Sequence, residues 1–338
     1  MSAPRALVAL LLFLTALCSP AAGAETWLWK VGTMAIEDIG WARHVKKLAF
    51  PAVDEITDGN LHIKVFYGGV LGDDEEVIAK MASGMLQGAG LAGLGAGILC
   101  PEMNVVQLPF LFENYEEVDH IKAAMKDDFD LVMEKNGYFL LIWMDQDFDQ
   151  VLSSDRPMAR VEDFSGVPFI TWQGELEKAL LQRLGAEPIS VRVTEVSSWV
   201  RQGNTDAAIG PAIWVVGAQL HNRIRYINPM KIRYSPSAIV VTLSAWRALP
   251  VTYRNQLLAR QEALTAQICE AVRRDNQECL EALYAYGLIR VEPTPGDMAA
   301  LKTTTRPLWN QMAGSLYPQA LLDKLLDRLA EFRASRKK

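Results

Sequence analysis

The sequence predicts an α/β protein of two units flanking a cleft, on three observations. Runs of strand length alternate with helical stripes from Thr26 to Ser244. A strand, helix, strand unit appears again after Asp163, and from Thr252 to about Tyr286 no helix breaker occurs, with two more helical segments beyond. The chain has 338 residues, half of them hydrophobic and 22% charged, which is apolar surface enough for about two folding units. A cleft between such units is where small ligands usually bind, and hinge closure around it is the usual motion.

Taken in order, Arg5 precedes the apolar run Ala6 to Cys18, Ser19-Pro20 breaks it, and Ala22-Gly23-Ala24 supplies the small residues a signal peptidase needs. Residues 1–24 therefore read as an export signal cleaved after about Ala24. The run is shorter than the about 20 residues that span a bilayer, and Leu17 before Cys18 is not the small residue of a lipid-attachment site, so a free periplasmic protein is expected. Thr26 to Gly32 is short and aromatic, a first strand. Trp41, Val45, Leu48, Ala52 and Ile56 follow at spacings of three and four, an amphipathic helix with a kink expected at Pro51. Leu61 to Tyr67 alternates as a half-buried strand closed by Gly68-Gly69, and Asp73-Asp74 caps a helix running to Ser83.

Gly88, Gly90 and Gly93 match G-x-G-x-x-G, but a helix rather than a strand precedes them and no Lys-Ser/Thr follows. The stretch reads instead as a buried strand and a close-packed turn. Met81 to Pro101 is uncharged, but its six glycines and closing proline argue against a membrane span. Tyr138 to Met144 is a continuous apolar run, as in a strand covered on both faces. Val167 to Trp172, a helix from about Glu175 to Leu184, and Pro188 to Val193 open the second unit, and Ala238 to Ser244 adds a strand. Asp297 to Gln311, kinked at Pro307, and Gln319 to Arg333 are the last helices.

The formal charge of -6 gives no basic footprint for nucleic acid, and Arg336-Lys337-Lys338 reads as a solvated tail. Cys269 and Cys279 lie on one helix about 15 Å apart, too far for a disulfide, which leaves Cys100 free to pair with either. His44, His62, His120 and His221 are scattered, and there is no C-x-x-C, G-x-S-x-G or H-E-x-x-H. No metal, no cofactor and no catalytic residue is predicted, and the chain is expected not to be an enzyme.

Several patterns then recur in a familiar order. They are Thr57-Asp58-Gly59-Asn60 leading into Leu61 to Tyr67 and Gly68-Gly69-Val70-Leu71-Gly72; Leu108-Pro109-Phe110-Leu111-Phe112 followed by Tyr115-Glu116-Glu117; Asp163-Phe164-Ser165-Gly166; Glu195 through Gly203 to Asp206; and Trp246-Arg247-Ala248-Leu249-Pro250. From Thr26 to Arg333 the chain thereby resembles the DctP-type solute-binding proteins of TRAP (tripartite ATP-independent periplasmic) transporters. The resemblance implies a periplasmic-binding-protein-like cleft fold with mixed sheets and a long C-terminal helix spanning both lobes. It implies lobes over 25–147 and 148–245, with some crossing back, and spanning and terminal helices over 246–338. It also implies a permease of small and large membrane subunits as partner, and a periplasmic TPR-containing protein is a further option.

Most members of that family hold a carboxylate with an arginine seven residues after the aspartate of Asp-Leu-Lys-Gly; here that position is Ile170. The family's usual asparagine, four residues after the aspartate of Gly-x-x-Asp, falls at Gly210. A carboxylate desolvated without a cation loses roughly several kcal/mol of compensation. The expected ligand is therefore hydrophobic or lipid-like, held by Trp41, Phe148, Phe169, Ile170, Trp172, Gly210, Pro211, Trp214 and Tyr234. The alternatives are an organic acid bound through a displaced Arg43, Arg192 or Arg201, and a sensing or scaffold protein that transports nothing.

Overall fold

The computed structural model describes residues 25–336; the export signal expected over 1–24 lies outside the described residues. Strand β1 (Trp27–Thr33) is followed by a helix in three pieces: α1 (Gly40–His44), a π-helical stretch (Val45–Ala49) and α2 (Phe50–Ile56). Pro51 stands in the first turn of α2, and the irregularity falls in the π stretch just before it. After β2 (Leu61–Phe66) comes α3 (Asp74–Ala82), whose N-cap is Asp73: its side chain accepts from the Glu76 N–H, and the Glu76 carboxylate accepts from the Asp73 N–H, a closed capping box. The glycine run divides into β3 (Gly88–Ala92), the buried strand expected, and α4 (Gly93–Leu99), a two-turn helix where a tight turn was expected.

Helices α5 (Tyr115–Ala124) and α6 (Lys126–Lys135) precede β4 (Tyr138–Ser153). The second unit contains β5 (Pro168–Thr171), α7 (Glu175–Arg183), β6 (Glu187–Ser190), α8 (Val196–Gln202), β7 (Ala207–Gly210) and α9 (Ala212–Gly217). Then come β8 (Tyr226–Thr242), α10 (Leu243–Ala248), α11 (Val251–Tyr286), β9 (Ile289–Arg290), α12 (Pro295–Thr305), α13 (Leu308–Gln311) and α14 (Gln319–Arg336). Pro307 marks the break between α12 and α13.

The strands form one mixed sheet in the order β2-β1-β3-β8-β4-β7-β5-β6, with β9 on β8. Strands β4 and β8, of 16 and 17 residues, pair antiparallel along their length and run through both lobes, so the boundary expected at 147/148 falls inside β4. Helix α11 has 36 residues, about 54 Å. Its Leu257 packs in the cluster around Trp29 of the first lobe and its Leu283 in the cluster around Val215 of the second, which makes it the brace across both.

The second half of β4 buries three carboxylates. Asp145 meets Lys122, Arg273 Nε at 2.7 Å and the Tyr234 hydroxyl at 2.6 Å. Asp149 lies 2.6 Å from Arg233, which also stands 3.3 Å from Glu177. Between them Asp147 accepts from the Tyr115 hydroxyl at 2.6 Å and from the Phe148 N–H at 2.7 Å. Cys100, Cys269 and Cys279 are free thiols, so the pairing open to Cys100 is not made.

Candidate ligand cleft

Between the lobes lies a cavity of about 530 Å³, within the range of small-molecule sites. One wall is the segment after β1, from Thr33 to Trp41, with Asp74 and Leu94; the opposite wall is Trp172, Gln173, Thr194, Pro211, Ile213 and Trp214. Gln146 of β4 and Asn276 of α11 also line it, so the strand and the helix that join the lobes both reach the ligand space. A second depression, of about 630 Å³, borders only the second lobe and the end of α11, and lobe closure would not enclose it.

The aromatic groups are set by glycines. The Trp172 and Trp214 rings stand 4.9 Å apart at 49°. A Cβ at Gly210 would come within 3.0 Å of Trp214 Cε3 and 3.7 Å of the Trp172 ring, so the indoles fill the room that a side chain at 210 would take. Across the cleft, a Cβ at Gly90 would sit 2.6 Å from the Trp41 ring, so a bare backbone at 90 is what lets that indole lie on β3.

Four of the polar groups present unpartnered acceptors. Asn276 donates its amide to the carbonyls of Gln146 (2.7 Å) and Val272 (3.1 Å), which leaves its Oδ1 buried and without a partner. Asp74 accepts from the Gly95 N–H, while its Oδ1 is buried and unpartnered; the Gln146 and Gln173 Oε1 atoms are in the same condition. Burial, with a smaller push from Asp73, raises the Asp74 carboxyl to about 7. Among the described residues lining the cleft there is no arginine, lysine or histidine.

Of the residues expected to hold ligand, Trp41, Trp172, Pro211 and Trp214 border the cavity, and Gly210 lies beneath the two indoles. The other four do not border it. Phe169 and Ile170 are wholly buried because β5 is covered on both faces: Phe169 stacks on Phe164 at 5.5 Å, and Ile170 packs on the other side among Val196, Val200 and Ala212. Phe148 and Tyr234 face each other across β4 and β8, share one side of the sheet, and are covered there by Tyr115 and Phe112.

None of the three candidate arginines lines the cleft: Arg43 pairs with Asp275 at 2.7 Å, Arg192 with Asp73 at 2.8 Å, and Arg201 donates to the Ala218 carbonyl. Sequence reading missed Asp74, Gln146, Gln173 and Asn276. The Asp73-Asp74 pair was the available signal: one aspartate caps α3, which leaves the other free to turn inward.

Two lobes joined by a brace helix around a cavity are the architecture of a small-solute-binding protein. Residues 41–315, well over half the chain, match the family described as bacterial extracellular solute-binding protein, family 7, the DctP family, and the chain belongs to it. It is a family of periplasmic transport proteins, not enzymes; its TRAP members bind small ligands and work with membrane permease subunits.

The 2,3-diketo-L-gulonate-binding periplasmic protein YiaO of Escherichia coli is 22% identical over 70% of this chain and 72% of its own. The C4-dicarboxylate-binding periplasmic protein DctP of Rhodobacter capsulatus is 23% identical over 77% and 79%. The sugar acid binding protein DctPAm of Advenella mimigardefordensis, solved in complex with galactonate, matches in fold with a TM-score of 0.83 at 18% identity, over 91% of this chain and 99% of that one. Among the described residues no helix is long and apolar enough to cross a membrane.

Proposed function

We propose that this TRAP solute-binding protein captures a small ligand with an apolar body, held by Trp41, Trp172, Pro211 and Trp214, and delivers it to a permease of small and large membrane subunits. The observation that carries the reading is the second-lobe wall, where two indoles occupy the space of a side chain at 210 and no cation faces the cavity. An acid entering here would lose its hydration beside Asp74 rather than beside an arginine, at a cost of roughly several kcal/mol. An export signal over 1–24 fits this role in the periplasm, and a TPR-containing periplasmic protein is a further partner of the proposal.

The test is a melting-temperature series with ligands in large excess over the protein. A ligand at a hundred times its dissociation constant stabilises the folded protein by about 2.7 kcal/mol. Compounds with apolar bodies should raise the melting temperature, while succinate and galactonate leave it unchanged. Stabilisation by either acid, with none from apolar compounds, would overturn the proposal.

A further inference from the structure

The cleft has a polarity as well as an apolar wall. Two of its side chains have a fixed, unpartnered oxygen and are more than nine-tenths buried: Asp74 is 5% and Asn276 3% exposed. The Asn276 carbonyl end is not a matter of choice, since its amide is engaged by two backbone carbonyls. The Asp74 carboxylate is held by the Gly95 N–H and packs so close that a Cβ at 95 would come within 2.7 Å of its Oδ2, which leaves Oδ1 as the unpartnered oxygen. Gln146 and Gln173 add two amides from the strand floor and the second lobe, each with an unpartnered carbonyl oxygen and its own N–H donors. Each buried acceptor without a donor costs roughly 1–3 kcal/mol, and a ligand that brings donors to Asn276 and to ionised Asp74 would relieve that cost.

Charge and aromatic faces point the same way. Asp74 is the one titratable side chain among the described residues lining the cavity, and it is acidic. The adjoining rim carries Asp73, Glu75, Glu76, Glu175 and Glu195 against Lys178 and Arg192, and Arg192 is already engaged by Asp73. Such a rim concentrates cations at the entrance. Three indoles border the same space, and an indole face attracts a cation.

Resting on the reading of the cleft as the ligand site, we propose that the solute is an organic cation, a protonated amine on an apolar body, whose N–H groups are taken by Asp74 and Asn276 while the indoles of Trp41, Trp172 and Trp214 cover the rest. A cation beside Asp74 also restores the ionised form that burial disfavours.

Three probes of one shape separate the possibilities: phenethylamine, 2-phenylethanol and 3-phenylpropanoate, titrated calorimetrically into the dialysed protein at pH 8. Phenethylamine should bind at least tenfold more tightly than the alcohol, and the acid should not bind. Asp74→Asn should lower amine affinity to that of the alcohol while leaving the alcohol within about twofold. Glu134→Gln, exposed on α6 and outside both the cavity and its rim, should leave amine affinity within about twofold. Equal binding of amine and alcohol to the parent protein would overturn the cation and leave the apolar cleft standing. Preferential binding of the acid would overturn both, and failure of all three probes to bind would overturn the inference.

Discussion

Asp145 and Asp147 sit two residues apart on β4, both buried, yet their environments drive them in opposite directions. Burial opposes ionisation in both, but Lys122 and Arg273 flank Asp145 and hold it near 2, whereas Asp147 has hydroxyl and amide donors, no cation, and Asp149 nearby, and rises to about 7. An acid whose folded value is raised stabilises the fold below its unfolded value, and that contribution is lost as pH rises through the folded value. Asp147 should therefore weaken the protein by about 1.4 kcal/mol per pH unit between about 4 and 7, about 4 kcal/mol in all, while Asp145 weakens it only as pH falls from about 4 toward 2.

Asp147→Asn keeps an acceptor for Tyr115 and Phe148 and removes the charge. Urea unfolding followed by tryptophan fluorescence should show it close to the parent at pH 5 and a few kcal/mol more stable at pH 8. Asp145→Asn strands two cations and should cost about 3–5 kcal/mol at both pH values. An Asp147→Asn difference that is the same at pH 5 and pH 8 would refute the reasoning.

Arg233→Met should cost about 3–5 kcal/mol in urea unfolding, because Asp149 and Glu177 lose their shared cation. The loss should be smaller at pH 5, since burial raises Glu177 to about 7 and lets it protonate. Trp214→Ala removes an aromatic pair worth about 0.5–1.5 kcal/mol, and should lower affinity for the apolar ligand at least tenfold in calorimetric titration while the fold persists. Gly210→Asn places a Cβ 3.0 Å from the Trp214 ring, so it should cost about 1–3 kcal/mol in melting experiments and block the cleft rather than create an acid site.

What could be read from the sequence was what local pattern determines. The alternation of Leu61 to Phe66, the apolar run at Tyr138 to Met144 and the unbroken stretch of α11 each correspond to an element of the structure. The polar half of β4 was illegible: Asp145, Asp147 and Asp149 look like a loop until Lys122, Arg273 and Arg233 arrive from distant parts of the chain. The first half of β8 hides behind Pro229 and two charged residues for the same reason.

At the cleft, the loss of the family's arginine and asparagine could be seen at Ile170 and Gly210, and with it the indoles that stand nearby. Which aromatics face the cavity could not, because residue type does not distinguish a wall from a core: Trp172 borders the cleft while Phe169, three residues earlier on the same segment, is packed beneath Phe164. Asp74 was hidden by its neighbour's capping role.

The most direct measurement of the central claim is native mass spectrometry, with organic extraction, of the protein purified without detergent. The account predicts a copurified small molecule with an apolar body, lost in Trp214→Ala. A copurified dicarboxylate or sugar acid would contradict it.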